Sequence, residues 1–141
     1  MQRTKGKAGE REAAALLTRI TGQPVQRRVR QHDGDSDLLG ITGWSVEVKR
    51  HAAAPRASIA AWWRQAVAQC EPDTRALLLY RADRGPWRAV WAPFDAQEHT
   101  DTIEAHPALW WALQGLHGSF LGIPNEGPLR RVGAVLSEVQ T

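Results

Sequence analysis

Eight residues near the middle of the chain, "RALLLYRA" (75–82), do most to limit how it can fold. From Ala76 to Tyr80 no charged residue interrupts the run, so neither face alternates with water-seeking groups. A strand of that kind needs cover on both faces, which makes it a central strand of a layered sheet. Its neighbours agree. "GPWRAVWAP" (85–93) follows turn chemistry at Asp83–Pro86 and should pair back as a hairpin. "SIAAWWRQAVAQC" (58–70) predicts a helix with Ser58 as its N-cap.

Upstream, "GEREAAALLTRI" (9–20) predicts a helix, since Ala and Leu favour one and Ala13, Leu16, Leu17 and Ile20 line one side. Gly22 should stop it. "PVQRRVR" (24–30) predicts a strand with its basic residues on one side, and "QHDGDS" a loop. "DLLGI" (37–41) and "WSVEVKR" (44–50) predict the two arms of a hairpin, and "HAAAPRAS" a linker. The predicted order is α-β-β-β-α-β-β in an α/β layer packing. Beyond residue 93, "DAQEHTDTIEAH" reads as acidic and polar, "PALWWALQGL" as a short helix opened by Pro107, and "LRRVGAVLSEV" as strand or helix.

At 141 residues the chain suits one domain, 1–141, with a core over about 5–92 and a C-terminal extension at 93–141. No apolar run is long enough to span a bilayer, and Glu10 and Glu12 interrupt any signal-peptide core. The one cysteine, Cys70, excludes an intrachain disulfide and fits a reducing, cytoplasmic compartment; beside Gln69 and Glu71 it reads as a packed thiol. Charge is uneven. Residues 1–30 hold 8 basic and 2 acidic side chains, although the whole chain is only +3. Clustering of this kind suits either a phosphate-backbone footprint or a solubilising surface.

The hairpin poses the functional question, because Asp37, Glu47 and Lys49 lie along elements that should be half-buried. Glu47 and Lys49 share a strand face, about 7 Å apart, while Val46 and Val48 point the other way. If Asp37 pairs with Glu47, Gly40 faces Trp44 across a three-residue loop, Ile41-Thr42-Gly43, in which the left-handed position falls on Gly43. A two-residue loop would put the two acids on opposite faces. The chain uses 15 Arg and 3 Lys, and Lys5 and Lys7 fall in an expected frayed N-terminus, so Lys49 is the one lysine expected in the folded body. That choice points to a need for a compact ammonium. Two carboxylates and a lysine at one end of a sheet suit Mg²⁺, which takes oxygen ligands and keeps waters.

These residues resemble the PD-(D/E)xK nuclease superfamily: "SDLLGI" then "SVEVK" places Asp37, Glu47 and Lys49 in its signature, with Ser36 where proline is frequent. "KGKAGERE" is similar to the first helix of archaeal-type Holliday junction resolvases, with Gly6 and Glu10 at the matching spacing and Glu12 as a competitor. "WWRQA" looks like the second-helix glutamine, here Gln65. The resemblance covers about residues 5–92. It implies a restriction-endonuclease-like α-β-β-β-α-β core with a mixed central sheet, and a Mg²⁺-dependent DNA endonuclease in which Mn²⁺ substitutes. Asp37, Glu47 and the Val48 carbonyl would be metal ligands, Lys49 the catalytic cation, and Glu10 and Gln65 would assist. Arg27, Arg28, Arg30, Lys5 and Lys7 are candidate DNA contacts. It further implies branched DNA as substrate, a homodimer, and a bacterial or phage-encoded cytoplasmic protein. The alternatives are a nicking or restriction-type nuclease on duplex DNA, and a non-catalytic DNA-binding module.

Rival patterns fail on spacing. "DGDSD" begins like an EF-hand loop, but Leu38 and Trp44 occupy the positions that need Gly and Glu. His32-Asp33 lacks the further ligands of a histidine–aspartate hydrolase, so His32, Asp33 and Asp35 read as loop residues near the site mouth. Adjacent Trp62 and Trp63 cannot both lie on one core stripe, and Trp110 and Trp111 raise the same issue; one of each pair should be core.

Overall fold

A computed structural model of the chain describes residues 2–29, 35–93 and 101–120, without the side chains of 2–5 and 116–120. The described elements are α1 (Gln2–Thr21), β1 (Gln26–Arg27), β2 (Leu38–Leu39), β3 (Trp44–His51), α2 (Arg56–Ala68), β4 (Arg75–Ala82), β5 (Arg88–Trp91), β6 (Ile103–Ala105) and α3 (Pro107–Phe120). The six strands form one sheet whose spatial order is their chain order. Only β3 and β4 run parallel, and α2 is the crossover between them; the other pairings are antiparallel.

The "RALLLYRA" strand has the double cover that its composition demands. Leu77 and Leu79 join Leu17, Val46, Val48 and Trp110 in a core under α1 and α3. Leu78 and Tyr80 join Ile59, Trp63 and Ala66 of α2 on the other face. The α-β-β-β-α-β core and mixed sheet expected from the sequence are therefore present, and β6 and α3 extend the sheet and the core beyond residue 93.

Local details differ from expectation where tertiary contacts outweigh local signals. α1 begins at Gln2, so Lys5 and Lys7 lie on a helix rather than a frayed end. α2 starts two residues ahead of Ser58; its N-cap is Pro55, in extended geometry with no side-chain cap. Proline's fixed φ ends the preceding linker there, and Arg56 and Ala57 are good helix formers. β1 is two residues long, and the basic side chains at and just after it do not share a side: Arg27 reaches Glu10 on α1, whereas Arg28 reaches Glu71 beyond α2. β6 lies inside the acidic stretch and is held by pairing with β5. The segment 129–139 lies outside the described residues, as do Arg30, His32 and Asp33.

Candidate active site

The hairpin between β2 and β3 adopts the register of the three-residue loop, which its turn chemistry permits, rather than that of the two-residue alternative. Leu38 pairs with Val46, Gly43 has φ +84°, and the Trp44 amide donates to the Ile41 carbonyl at 3.2 Å. Gly40 has φ +120° and packs so closely that a Cβ would stand 2.3 Å from the Pro24 carbonyl oxygen. One feature departs from simple facing of Asp37 and Glu47. The Asp37 amide also donates to the Val46 carbonyl (2.9 Å), so Asp37 and Leu38 both answer to Val46. This is a β-bulge, a device that re-aims a side chain. The bulged Asp37 carboxylate accepts the Val48 amide at 2.8 Å through Oδ2 and meets the Glu47 carboxyl through a side-chain hydrogen bond.

Glu47 is 4% exposed, and its Oε1 is buried with no hydrogen-bond partner among the described residues. Burial first, then the Asp37 charge and hydrogen bond, push its pKa from an ordinary 4.5 up to about 8; Lys49 opposes the rise and Glu10 adds to it. An orphaned buried oxygen beside a second carboxylate is what a divalent cation would relieve. Val48 presents its amide to the β2 side, and in an extended strand the carbonyl of the same residue faces the same edge. The donors are thus all oxygen and few. Among the described residues no three His, Cys, Asp or Glu side chains form a metal cage, so the set fits a hard ion that keeps water ligands.

Lys49 is half-buried on the Glu47 face of β3 and pairs across the sheet with Tyr80. Trp62 of α2 packs against that Tyr80, and Gln65, half-buried, follows one turn later. Glu10 lies near enough to act on Glu47 while its Oε2 accepts from Arg27 Nε. Glu12 faces elsewhere. Its Oε2 accepts from Arg50 at 3.1 Å, and its Oε1 accepts from Arg81 and from Trp87 Nε1. Glu12 therefore ties α1 to β3, β4 and the strand-entry residue Trp87.

A polar clamp that sequence reasoning missed stands behind Asp37. Arg28 Nη2 donates to Glu71 Oε1 (2.7 Å), and Arg28 Nε donates to the Ser36 carbonyl (2.9 Å). Ser36, 2% exposed, also reaches Glu71. No local signal links Arg28 to a residue 43 positions away. Arg27 and Arg28 thus serve the fold, Lys7 is exposed on α1, and the Lys5 side chain lies outside the described residues. Cys70 is half-buried against Thr74, as a packed thiol should be. Trp63 and Trp110 are the core members of their pairs.

A bulged aspartate, a buried glutamate and a lysine on a mixed sheet define the class of a PD-(D/E)xK phosphodiesterase fold. The chain belongs to the family described as "Phage putative PDDEXK endonuclease", whose profile matches residues 1–108, well over half its length. It is a nuclease of that family. Among solved structures, Hjc of Archaeoglobus fulgidus, a Holliday junction resolvase from an archaeal hyperthermophile, is similar at 18% identity and a TM-score of 0.44 over 75% of this chain and 87% of that one. No curated protein matches. Among the described residues, no helix is long and apolar enough to cross a membrane.

Proposed function

We propose that this chain is a Mg²⁺-dependent DNA endonuclease that acts on branched DNA as a homodimer in the bacterial cytoplasm, with residues 1–141 as one domain. The observation that carries the metal-dependent reading is the orphaned, buried Oε1 of Glu47, set against Asp37 with Lys49 alongside. Asp37, Glu47 and the Val48 carbonyl would hold the ion, with Mn²⁺ as a substitute. When bound, such an ion supplies Lewis-acid polarisation of the phosphodiester. Lys49 places a compact positive charge where negative charge develops on the phosphate. Glu10 adds negative potential at the ion side, and Gln65 orients the lysine from α2. Arg27, Arg28, Arg30, Lys5 and Lys7 are the proposed phosphate contacts; Arg27 and Arg28 make theirs with the guanidinium N–H groups that Glu10, Glu71 and Ser36 leave over. The branched substrate rests on the resolvase-like spacing of Gly6 and Glu10 in the sequence. The dimer follows from that substrate, since two symmetric cuts need two sites.

The test incubates the protein with linear, flapped and four-way DNAs in Mg²⁺, in Mn²⁺ and in EDTA, beside Asp37→Asn. Cleavage in either metal, lost in EDTA and in the variant, is expected. Binding without cleavage under every condition would refute the enzyme reading and leave a DNA-binding module. Equal cleavage of linear and branched DNA would refute the branched substrate in favour of a duplex-nicking enzyme.

A further inference from the structure

Lys49 has two near neighbours on its own face of the sheet. His51 stands two residues further along β3, and Tyr80 stands directly across on β4. Both hold the same ring. The Trp62 indole stacks on the His51 imidazole, with centroids 4.7 Å and planes 17° apart, and packs on the Tyr80 ring at 6.0 Å. The indole therefore borders the corner that Lys49 occupies. It is backed firmly there: the Tyr80 hydroxyl donates to Glu104 Oε1 at 2.7 Å, and Arg56 Nη1 donates to both oxygens of that carboxylate at 3.2 Å. Trp63, the next residue of α2, serves the core, which leaves Trp62 half-buried beside the strand ends. The acids lie on the other flank of Lys49. β2 pairs with β3 at Val46, and beyond that pair the edge of β3 meets the bulged Asp37. The lysine charge acts on Glu47 from there, yet among the described residues no hydrogen bond or ion pair ties the ammonium down.

We propose that Trp62 is a positioning residue for Lys49, an indole wall that confines the lysine stem on the α2 side and turns its ammonium toward Asp37 and Glu47. A lysine stem is flexible and packs its methylenes readily on apolar surface. A carbon wall fixes that stem without consuming a donor, so all three ammonium hydrogens stay available to a phosphate oxygen or a water. Gln65 acts from the same helix, one turn on. The inference rests on the nuclease reading of the same site.

The test has two arms. The first is NMR of protein carrying isotope-labelled lysine, which is simple in a chain with three lysines; Lys49→Arg assigns the signal. The Lys49 methylene protons should be shifted upfield by the indole ring current, and should move back in Trp62→Ala. The second is single-turnover cleavage beside a DNA-binding isotherm for Trp62→Phe, Trp62→Ala, Lys49→Ala and the double variant Trp62→Ala/Lys49→Ala. Trp62→Ala should cut the cleavage rate by roughly ten- to hundredfold, with DNA affinity within a few-fold of wild type. Trp62→Phe, which keeps an aromatic wall, should recover most of the rate. In the Lys49→Ala background the loss of Trp62 should cost little more, because the residue acts through the lysine. A full additional loss in the double variant would overturn the proposal and make Trp62 a structural residue. So would an unshifted Lys49 signal in wild type, or a fall in DNA affinity that matches the fall in rate; each leaves the nuclease standing. Upfield Lys49 signals in a wild-type protein that cuts no DNA would overturn the nuclease reading, and the positioning role with it.

Discussion

The metal-free protein should lose stability as the solution turns from mildly acidic to alkaline, and Glu47 should be the chief cause. Its pKa in the fold is raised from 4.5 to about 8, so the folded state holds this proton more tightly than the unfolded chain does. The contribution is fully present below about pH 4.5 and is lost as pH rises through about 8. At about 1.4 kcal/mol per pH unit, the span from 4.5 to about 8 corresponds to on the order of 5 kcal/mol. That is a large share of the stability of a domain this size. The assay is urea unfolding in EDTA at several pH values between 5 and 9, for wild type and Glu47→Gln. The glutamine cannot titrate, so the difference between the two curves isolates this carboxyl from all others. Wild type should fall relative to the variant across that range, and Mg²⁺ at high pH should restore wild type alone, because the ion takes the place of the proton. Asp37→Asn should keep the larger, burial-driven part of the slope. Parallel curves for wild type and Glu47→Gln would refute the reasoning.

Lys49→Arg should cut single-turnover cleavage by on the order of a hundredfold, with fold and DNA affinity retained, because a planar fork misplaces the charge; cleavage within a few-fold of wild type would remove Lys49 from the chemistry. The two N-terminal glutamates should separate by readout. Glu10→Gln should reduce cleavage more than stability, while Glu12→Gln should cost about 1–3 kcal/mol in urea unfolding by loosening Arg50, Arg81 and Trp87. Gly40→Ala should be more damaging than Gly43→Ala, since both have positive φ but only Gly40 lies against backbone; denaturation midpoints would decide it. Sedimentation at tens of micromolar should show a dimer, and a monomer there would count against the resolvase-like reading.

What could be read from the sequence followed the range of the interactions. Gly43 made a three-residue loop one of two local options, and the Leu38–Val46 register shows that it is the one adopted. The apolar run at 75–82 announced a doubly covered strand for the same local reason. The bulge at Asp37 was not legible, because it depends on where one amide finds its acceptor across the sheet. Nor were the roles of Arg27 and Arg28: alternating strand geometry sends them to opposite faces, and their partners come from α1 and from the far end of α2. β6 escaped notice since "IEA" carries no strand pattern and owes its shape to Ala89, Val90 and Trp91. Ser58 looked like a cap, but Pro55 ended the linker first.

The bond from the Val48 amide to Asp37 Oδ2 bears on how inactive variants are chosen. At the end of β2 that carboxylate stands in for the backbone acceptor that a longer strand would have supplied, so one side chain is both proposed ligand and part of the sheet's ladder. Alanine at 37 would strand the amide as well as delete the ligand, and a buried amide left without an acceptor costs about 1–3 kcal/mol. A protein disabled in that way would also be softened at its sheet edge, and its loss of cutting would say little about chemistry. Asparagine keeps an oxygen facing the amide while it removes the charge and turns the other oxygen into an N–H donor, which makes Asp37→Asn a cleaner variant than alanine for trapping uncut DNA on this fold.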